Sequence, residues 1–374
     1  MHNLKTTLPS AEQEWASPRY CVVIPTFEER DNVEPLFAKI QAVMPDRGWE
    51  VIFVDDNSRD GTPEAIYRLM DQHFNVRLIR RFGRRGLSSA AVEGMMATAA
   101  PIVAVMDADM QHDEDALPKL LQCVEDGADV ALGTRYAHNG SLGSWAQSRA
   151  LISRFATAVA ARVNKNPVSD PMSGFLAVRR ELVVDLMPRL SLIGFKILLD
   201  ILMSSPGRLK VSEVPYHFRC RTAGESKLDI NVSIDFLLLL LEKKTGRFIP
   251  ARLFLFAAVG GSGLLVHLLL LRLMLSLNAS FVVAQSMAVA VAIASNFTLN
   301  NILTYRDRQL RGWRMLGGLL SFYAVCGIGA IANVGAASFL YLGNERWWVA
   351  GIAGAVIGAV WNFVASSFFT WRRK

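Results

Sequence analysis

Asp107, Asp109 and Gln111 form a D-x-D-x-Q string directly after the apolar run Ile102–Met106. Acids continue at Asp113, Glu114 and Asp115, so five fall within residues 104–115 of a chain whose formal net charge is +7. A second acid pair, Asp55 and Asp56, closes the apolar run Val51–Val54. Hard oxygen donors of this kind suit Mg²⁺ or Mn²⁺, which take one or two carboxylates and keep positions open for phosphate. A bound cation reverses the local charge and stabilises a departing diphosphate as a Lewis acid. Solvated loop acids are the plain alternative; acids at the ends of two apolar runs argue against it. His112, next in line, reads as a solvated turn histidine.

Such acids need a scaffold that delivers them to one place. "RYCVVIPTF" (19–27), "EVIFVDDNS" (50–58), "VRLIRR" (76–81) and "IVAVMDAD" (102–109) read as strands. Between them lie segments with helical spacing: 31–44, 61–73 and 88–99. Asp31 with Glu34 predicts a capping box, and Thr62 followed by Pro63 predicts an N-cap with proline at N1. Strand–helix alternation implies a mostly parallel sheet with helices on both faces, whose ligands bind beyond the carboxyl ends of the strands. Residues two apart in a strand share a face, so Asp107, Asp109 and Gln111 are expected to point the same way.

In order and spacing, "VVIPTFEE", "VIFVDDNSRDGT", "RRGLSSAAVEG", "DADMQH", "GTRY" and "DPMSGF" resemble the inverting family 2 glycosyltransferases of α/β GT-A fold. "FRCRTAGESKL" is similar to the dolichol- or polyprenol-phosphate mannose synthase branch. The resemblance covers about residues 20–245. It implies a nucleotide pocket lined by Pro25, Phe27, Glu29, Asp56, Arg84 and Ala108, with help from Asp55. It implies a metal held by Asp107, Asp109 and Gln111 on the sugar-nucleotide diphosphate. Family members usually carry Asn where this chain has Glu28.

No His or carboxylate stands out as a general base for an alcohol acceptor. A phosphate acceptor needs none, because its second pKa near 6 leaves it a dianion at neutral pH. The enzyme must then supply cation and position. Arg135, Arg149, Ser153, Arg221 and Lys227 match positions that contact the lipid phosphate in the resembling synthases. Asp170 and Ser173 of "DPMSGF" fit the family pattern; the sequence assigns them a turn and leaves a contact with the site open.

The last third of the chain is different. The sequence has 374 residues, 52% of them hydrophobic, more than a soluble domain of this length usually carries. The excess begins near Phe248. Four apolar stretches, near 252–277, 279–299, 316–340 and 347–369, are each long enough to span a bilayer. Arginines cluster at 247 and 252, at 306–314 and at 372–373, which places both termini and the soluble domain in the cytosol of a multi-pass membrane protein. Before the spans, residues 230–247 read as an amphipathic helix lying at the interface, with a core helix of the soluble domain as the alternative. The twenty N-terminal residues have no apolar core, so they read as a loose tail and not as a signal peptide. The expected domains are therefore a tail (1–19), the GT-A domain (20–229), the interfacial helix (230–247) and a four-helix membrane domain (248–374).

That membrane domain repeats itself. Phe256, Ala258, Val259, Gly261 and Gly263 recur as Phe322, Ala324, Val325, Gly327 and Gly329. Asn296, Phe297, Thr304, Tyr305 and Arg306 recur as Asn362, Phe363, Thr370, Trp371 and Arg372. The offset is 66 residues throughout. Two helical hairpins of one orientation are expected, related by an axis along the membrane normal. This half resembles the GtrA family of four-span proteins. His267, Asn296, Asn333 and Asn362 are read either as hydrogen-bonding glue between helices or as lining for a polar headgroup.

Together these readings point to transfer of a hexose from a sugar nucleotide to dolichyl or polyprenyl phosphate, with mannose from GDP-mannose favoured over UDP-glucose. A lipid-linked-sugar flippase with a nucleotide-binding domain is the alternative from another class. A processive polysaccharide synthase is set aside, because its Gln-x-x-Arg-Trp acceptor motif is matched only by an out-of-register "QLRGW" between spans. The basic residues cluster at membrane edges, where anionic lipids account for them without nucleic acid. Small residues at Ala288, Ala292, Gly354 and Gly358 permit close helix contact and leave self-association through the spans open.

Overall fold

The structure is a computed structural model and describes residues 17–45, 48–83, 85–136, 166–192, 196–219, 238–243, 251–305, 308–343 and 347–372. The chain divides into two compact units, Met1–Lys244 and Thr245–Lys374.

In the first unit, β1 (Tyr20–Thr26), β2 (Trp49–Asp55), β3 (Val76–Arg80), β4 (Ile102–Val105), β5 (Val130–Thr134), β6 (Leu176–Arg179) and β7 (Val211–Pro215) form one sheet. Their order is β3-β2-β1-β4-β6-β5-β7. Only β6 runs against its neighbours β4 and β5; the other pairings are parallel. This is the expected mostly parallel α/β sheet.

β2 is buried along its whole length, as a strand covered on both faces must be. Alternate residues feed two cores. Val22, Ile24, Val51 and Phe53 pack against α1 (Arg30–Val43), α2 (Thr62–Gln72) and α4 (Leu117–Glu125). Cys21, Val23, Ile52 and Val54 pack against α3 (Leu87–Met96), α5 (Arg180–Leu186) and α6 (Ile197–Ser204). β1 has β2 on one side and β4 on the other, so the connections reverse direction there. Ligands of open sheets bind at such a reversal, and the acid-rich turns leave β2 and β4 beside it.

Local details depart from expectation. The N-cap of α1 is Glu29, and Asp31 lies within the first turn, so no capping box forms. Glu34 instead pairs with Arg68 of α2 at 2.9 Å. α2 begins at Thr62 with Gly61 as N-cap, and Asp60 accepts from the Thr62 amide and hydroxyl. β4 ends at Val105, short of the acids, and Met110 has a left-handed φ of 63°. Asp107, Asp109 and Gln111 therefore lie in a turn after the strand, where strand alternation does not set their direction.

Of the segment 230–247, residues 238–243 are described. Leu239 and Leu240 bury against Met172 and Leu199, and Lys243 Nζ lies 2.5 Å from Asp200 Oδ1. That stretch is packed onto the first unit.

The second unit contains α7 (Ala251–Ser276), α8 (Phe281–Leu299) with a π-turn at Asn300–Thr304, α9 (Arg314–Leu342), and α10 (Trp347–Ala365) with a π-turn at Ser366–Thr370. Among the described residues, three helical stretches, Arg252–Ser276, Phe281–Thr304 and Arg314–Ala332, are long and apolar enough to cross a membrane; Val356–Thr370 is a shorter apolar one.

The repeat is structural. The two π-turns are 66 residues apart, and the packing between the hairpins is reciprocal. Phe256 meets Phe363 at 5.7 Å, while their counterparts Phe322 and Phe297 meet at 6.0 Å. Tyr305 and Trp371, counterparts of each other, stack at 4.1 Å with planes 7° apart. The Tyr305 hydroxyl reaches Ser367 Oγ, and Trp371 Nε1 donates to Asn301 Oδ1, the counterpart of Ser367. A contact of i with j answered by j with i is the mark of a twofold interface.

Candidate active site

Several of the residues expected in the nucleotide pocket sit at the ends of β1 and β2. Asp55 is fully buried and takes hydrogen bonds from Thr26 Oγ1 and from the Ser58 amide and hydroxyl. It ties the end of β2 to that of β1. Asp56 takes the Gly86 amide at 2.8 Å and pairs with Arg81 at 2.9 Å. Burial raises the Asp56 pKa, partly countered by the Gly86 amide and Arg81. Arg81 is itself buried and also donates to Gly86 O and Ser89 Oγ. A buried charge must be paired, and here the pairing fixes the chain from β3 into α3.

Pro25 ends inside β1, Ala108 is buried in the acid turn, and Glu29 accepts from Asn32 Nδ2 at 2.6 Å. Phe27 carries the Arg85 guanidinium 4.2 Å from its ring centroid. Arg84 lies outside the described residues; the neighbouring Arg85 was not singled out by the motif.

The metal candidates sit in one tight turn. Asp109 is buried and its Oδ1 accepts the Gln111 amide. Gln111 Nε2 donates to the Arg219 carbonyl at 3.1 Å, so Oε1 is the end of the amide suited to a cation. Gly174 of "DPMSGF" approaches Asp107 so closely that a Cβ there would lie 2.9 Å from Oδ2. Two carboxylates and an amide oxygen fit a hard divalent cation.

His112 is buried, which overturns the solvated reading. Nε2 lies 3.1 Å from Asp107 Oδ2 and Nδ1 lies 3.0 Å from the Tyr216 hydroxyl. Aromatic rings of Phe175, Tyr216 and Phe218 surround it.

Of the residues expected at the acceptor phosphate, Arg135 is buried and holds Asp170 with two bonds, Nε at 2.7 Å and Nη2 at 2.9 Å. Burial works against the Arg135 charge, but the Asp170 bonds more than reverse it, so its pKa lies above the usual value. Asp170, left without a role by the sequence, thus orients Arg135. Ser173 only closes its own turn on Phe175.

Lys196, which no motif marked, donates to Met172 O at 2.9 Å. Burial and the nearby Arg135 push its pKa down to about 8, against the pull of Asp107 and Asp170. Tyr216 is pushed up by burial and feels Arg135, Asp170, Asp107 and Asp109. These mutual influences tie both acids of the D-x-D, the Arg135–Asp170 pair, Lys196 and Tyr216 to one charged centre. Arg149, Ser153, Arg221 and Lys227 lie outside the described residues.

Such a centre can hold a cation between acids and present positive charge to an anion beside it. Comparison with known proteins agrees with the class. Residues 21–187 match Glycosyl transferase family 2, and residues 255–371 match the GtrA/DPMS transmembrane domain. The chain is thus a membrane-attached family 2 glycosyltransferase.

The dolichol-phosphate mannosyltransferase of Pyrococcus furiosus is 35% identical over 94% of this chain and 98% of its own. That of Saccharomyces cerevisiae is 39% identical over 64% of this chain and 92% of its own. The chain belongs to the dolichol-phosphate mannosyltransferase family. Among solved structures, glucosyl-3-phosphoglycerate synthase of Mycobacterium tuberculosis with Mn²⁺, UDP-glucose and phosphoglyceric acid has a TM-score of 0.47 at 19% identity over 60% of this chain and 79% of that one. That likeness is too distant to bear on substrate.

Proposed function

We propose that this enzyme transfers mannose from GDP-mannose to dolichyl or another polyprenyl phosphate, with inversion and with a divalent cation, at the cytosolic face of a membrane. The observation that carries the reading is the charged centre itself: the D-x-D-x-Q turn, the Arg135–Asp170 pair and Lys196 occupy one end of the sheet. The names of the curated relatives support the donor sugar and the lipid acceptor.

Asp107, Asp109 and Gln111 would hold Mg²⁺ or Mn²⁺. When bound, the cation supplies Lewis acidity for the diphosphate leaving group. Asp56, Arg81 and the Phe27–Arg85 pair shape the nucleotide side. On the other side the acceptor phosphate is already nucleophilic as a dianion. Arg135, set by Asp170, and Lys196 draw it into place, and Arg149, Ser153, Arg221 and Lys227 are proposed to complete its site. The phosphate oxygen attacks the anomeric carbon as the bond to the nucleotide diphosphate breaks on the opposite face. No proton need be removed in this step.

Radiolabelled GDP-mannose and UDP-glucose, each given to purified protein with one polyprenyl phosphate, test the reading. Label from GDP-mannose is expected in the lipid fraction, as the β-linked product. Label from UDP-glucose alone would overturn the donor; label from neither, across a panel of sugar nucleotides, would overturn the activity.

A further inference from the structure

The residues that leave β7 grip the metal turn at three points. Arg219 and Gln111 exchange hydrogen bonds: the Arg219 amide donates to Gln111 O at 2.9 Å, and Gln111 Nε2 donates to Arg219 O. The Arg219 guanidinium reaches Asp113 at 2.8 Å and also Glu114, which Lys39 of α1 holds from the other side. Tyr216 holds His112, and His112 holds Asp107.

The chemistry of that last chain is directional. An ionised carboxylate only accepts, so Nε2–H of His112 donates to Asp107 Oδ2, and Nδ1 accepts from the Tyr216 hydroxyl. The tautomer follows from this network. With Gly174 against the same oxygen, the Asp107 carboxylate is confined between a glycine and a buried imidazole. Partners outside a metal's own ligands, by fixing ligand orientation, are worth about 10–100-fold in metal affinity.

We propose that His112 and Tyr216 are positioning residues for the metal site: Tyr216 fixes the imidazole, and the imidazole fixes Asp107. His112 is not itself a ligand. Residues 216–219 are the clamp that shapes the D-x-D-x-Q turn after β4 has ended. The inference rests on the reading of Asp107, Asp109 and Gln111 as ligands.

Mn²⁺ alone, titrated into the full chain in detergent and followed by loss of the free-ion EPR signal, tests it. Four variants are compared with wild type, each with its thermal midpoint. Asp109→Ala removes a proposed ligand and is expected to abolish binding. Asn and Gln place an amide near Nδ1 and Nε2 of a histidine, respectively. His112→Gln therefore keeps a donor toward Asp107 and is expected to bind within about threefold of wild type. His112→Asn keeps only the Tyr216 side and is expected to weaken binding about tenfold or more. Tyr216→Phe is expected to fall between the two. A merely structural histidine would lose affinity equally in both amide variants, in step with the midpoint; that result overturns the proposal, as does wild-type affinity in His112→Asn and Tyr216→Phe. Wild-type affinity in Asp109→Ala would overturn the ligand reading, and the positioning role with it.

Discussion

The two units of this protein solve the same problem, the placement of polar groups among apolar ones, in opposite ways. In the catalytic unit, two apolar layers hold the sheet, and hydrophobic burial in water supplies that hold. Four of its buried polar pairs lie beyond the carboxyl ends of the parallel strands and share no symmetry: Asp55 with Ser58, Arg81 with Asp56, Arg135 with Asp170, His112 with Asp107. In the membrane unit the surrounding lipid is as apolar as the helices, so close contact and hydrogen bonds must hold them together. There two of the main devices come in matched copies. Gly263 and Gly329 each leave space that the amide of Asn296 or Asn362 fills. The aromatic cluster of Phe256, Phe297, Tyr305, Phe322 and Trp371 closes on itself across the repeat. One unit uses polarity to make a site; the other uses repetition to make a scaffold.

Breaking a buried pair should separate the two most sharply. Asp170→Ala leaves Arg135 buried without its carboxylate and should cost the catalytic unit about 3–5 kcal/mol. Denaturation followed by domain-specific proteolysis should show the membrane unit unchanged.

Lys196 sharpens the same point through pH. Its pKa in the folded chain is about 8, below the ordinary 10.5. Below about pH 8 both folded and unfolded chains carry its proton, and the burial penalty is fully present. Between about 8 and 10.5 the folded chain sheds the proton first, so this residue's contribution to stability improves as pH rises. Melts of metal-free wild type and Lys196→Met should therefore diverge across that window, with wild type gaining on the variant.

In the membrane unit, Gly329→Ala would place a Cβ 2.0 Å from Asn362 Oδ1 and should destabilise that unit by about 1–3 kcal/mol. Asn362→Ala in the same chain should restore part of the loss. Gly263→Ala with Asn296→Ala should repeat the pattern, and unequal costs in the two hairpins would show that the copies no longer carry equal loads.

The smallest effect is expected at Glu28, which holds a left-handed φ of 58°. Asn tolerates that region better than a long side chain, which gives a reason for the Asn common in the family. Glu28→Asn should raise the thermal midpoint by the equivalent of about 1 kcal/mol, with transfer unaffected.

The sequence showed most of what periodicity encodes. The cores of β1 to β4, the helices between them and the 66-residue repeat depend on local alternation and spacing, and they lie close to where expected, with β4 ending at Val105, short of the expected 109. The acids of the D-x-D-x-Q turn were legible because unmixed charge after an apolar run is conspicuous. Three things were not. Asp31 and Glu34 spell a capping box, yet tertiary pairing of Glu34 with Arg68 and the tie of Glu29 to Thr62 set the start of α1 instead. His112 lies in the turn as read, but it looked solvated because its partner Tyr216 is 104 residues away. Lys196 belongs to no motif, and the motif that holds Asp170 names no partner for it; the fold brings both to Arg135. Long-range polar contacts leave no spacing to read.

If the acid turn holds a cation used in transfer of sugar to a lipid phosphate, transfer depends both on Asp109 and on a free divalent ion. Transfer from labelled GDP-mannose to polyprenyl phosphate by wild type and Asp109→Ala, each with and without EDTA, tests it most directly. Wild type is expected to give product, Asp109→Ala to lose about a thousandfold or more, and EDTA to remove activity that Mg²⁺ or Mn²⁺ restores. Undiminished product from a folded Asp109→Ala protein, or from wild type in EDTA, would contradict it.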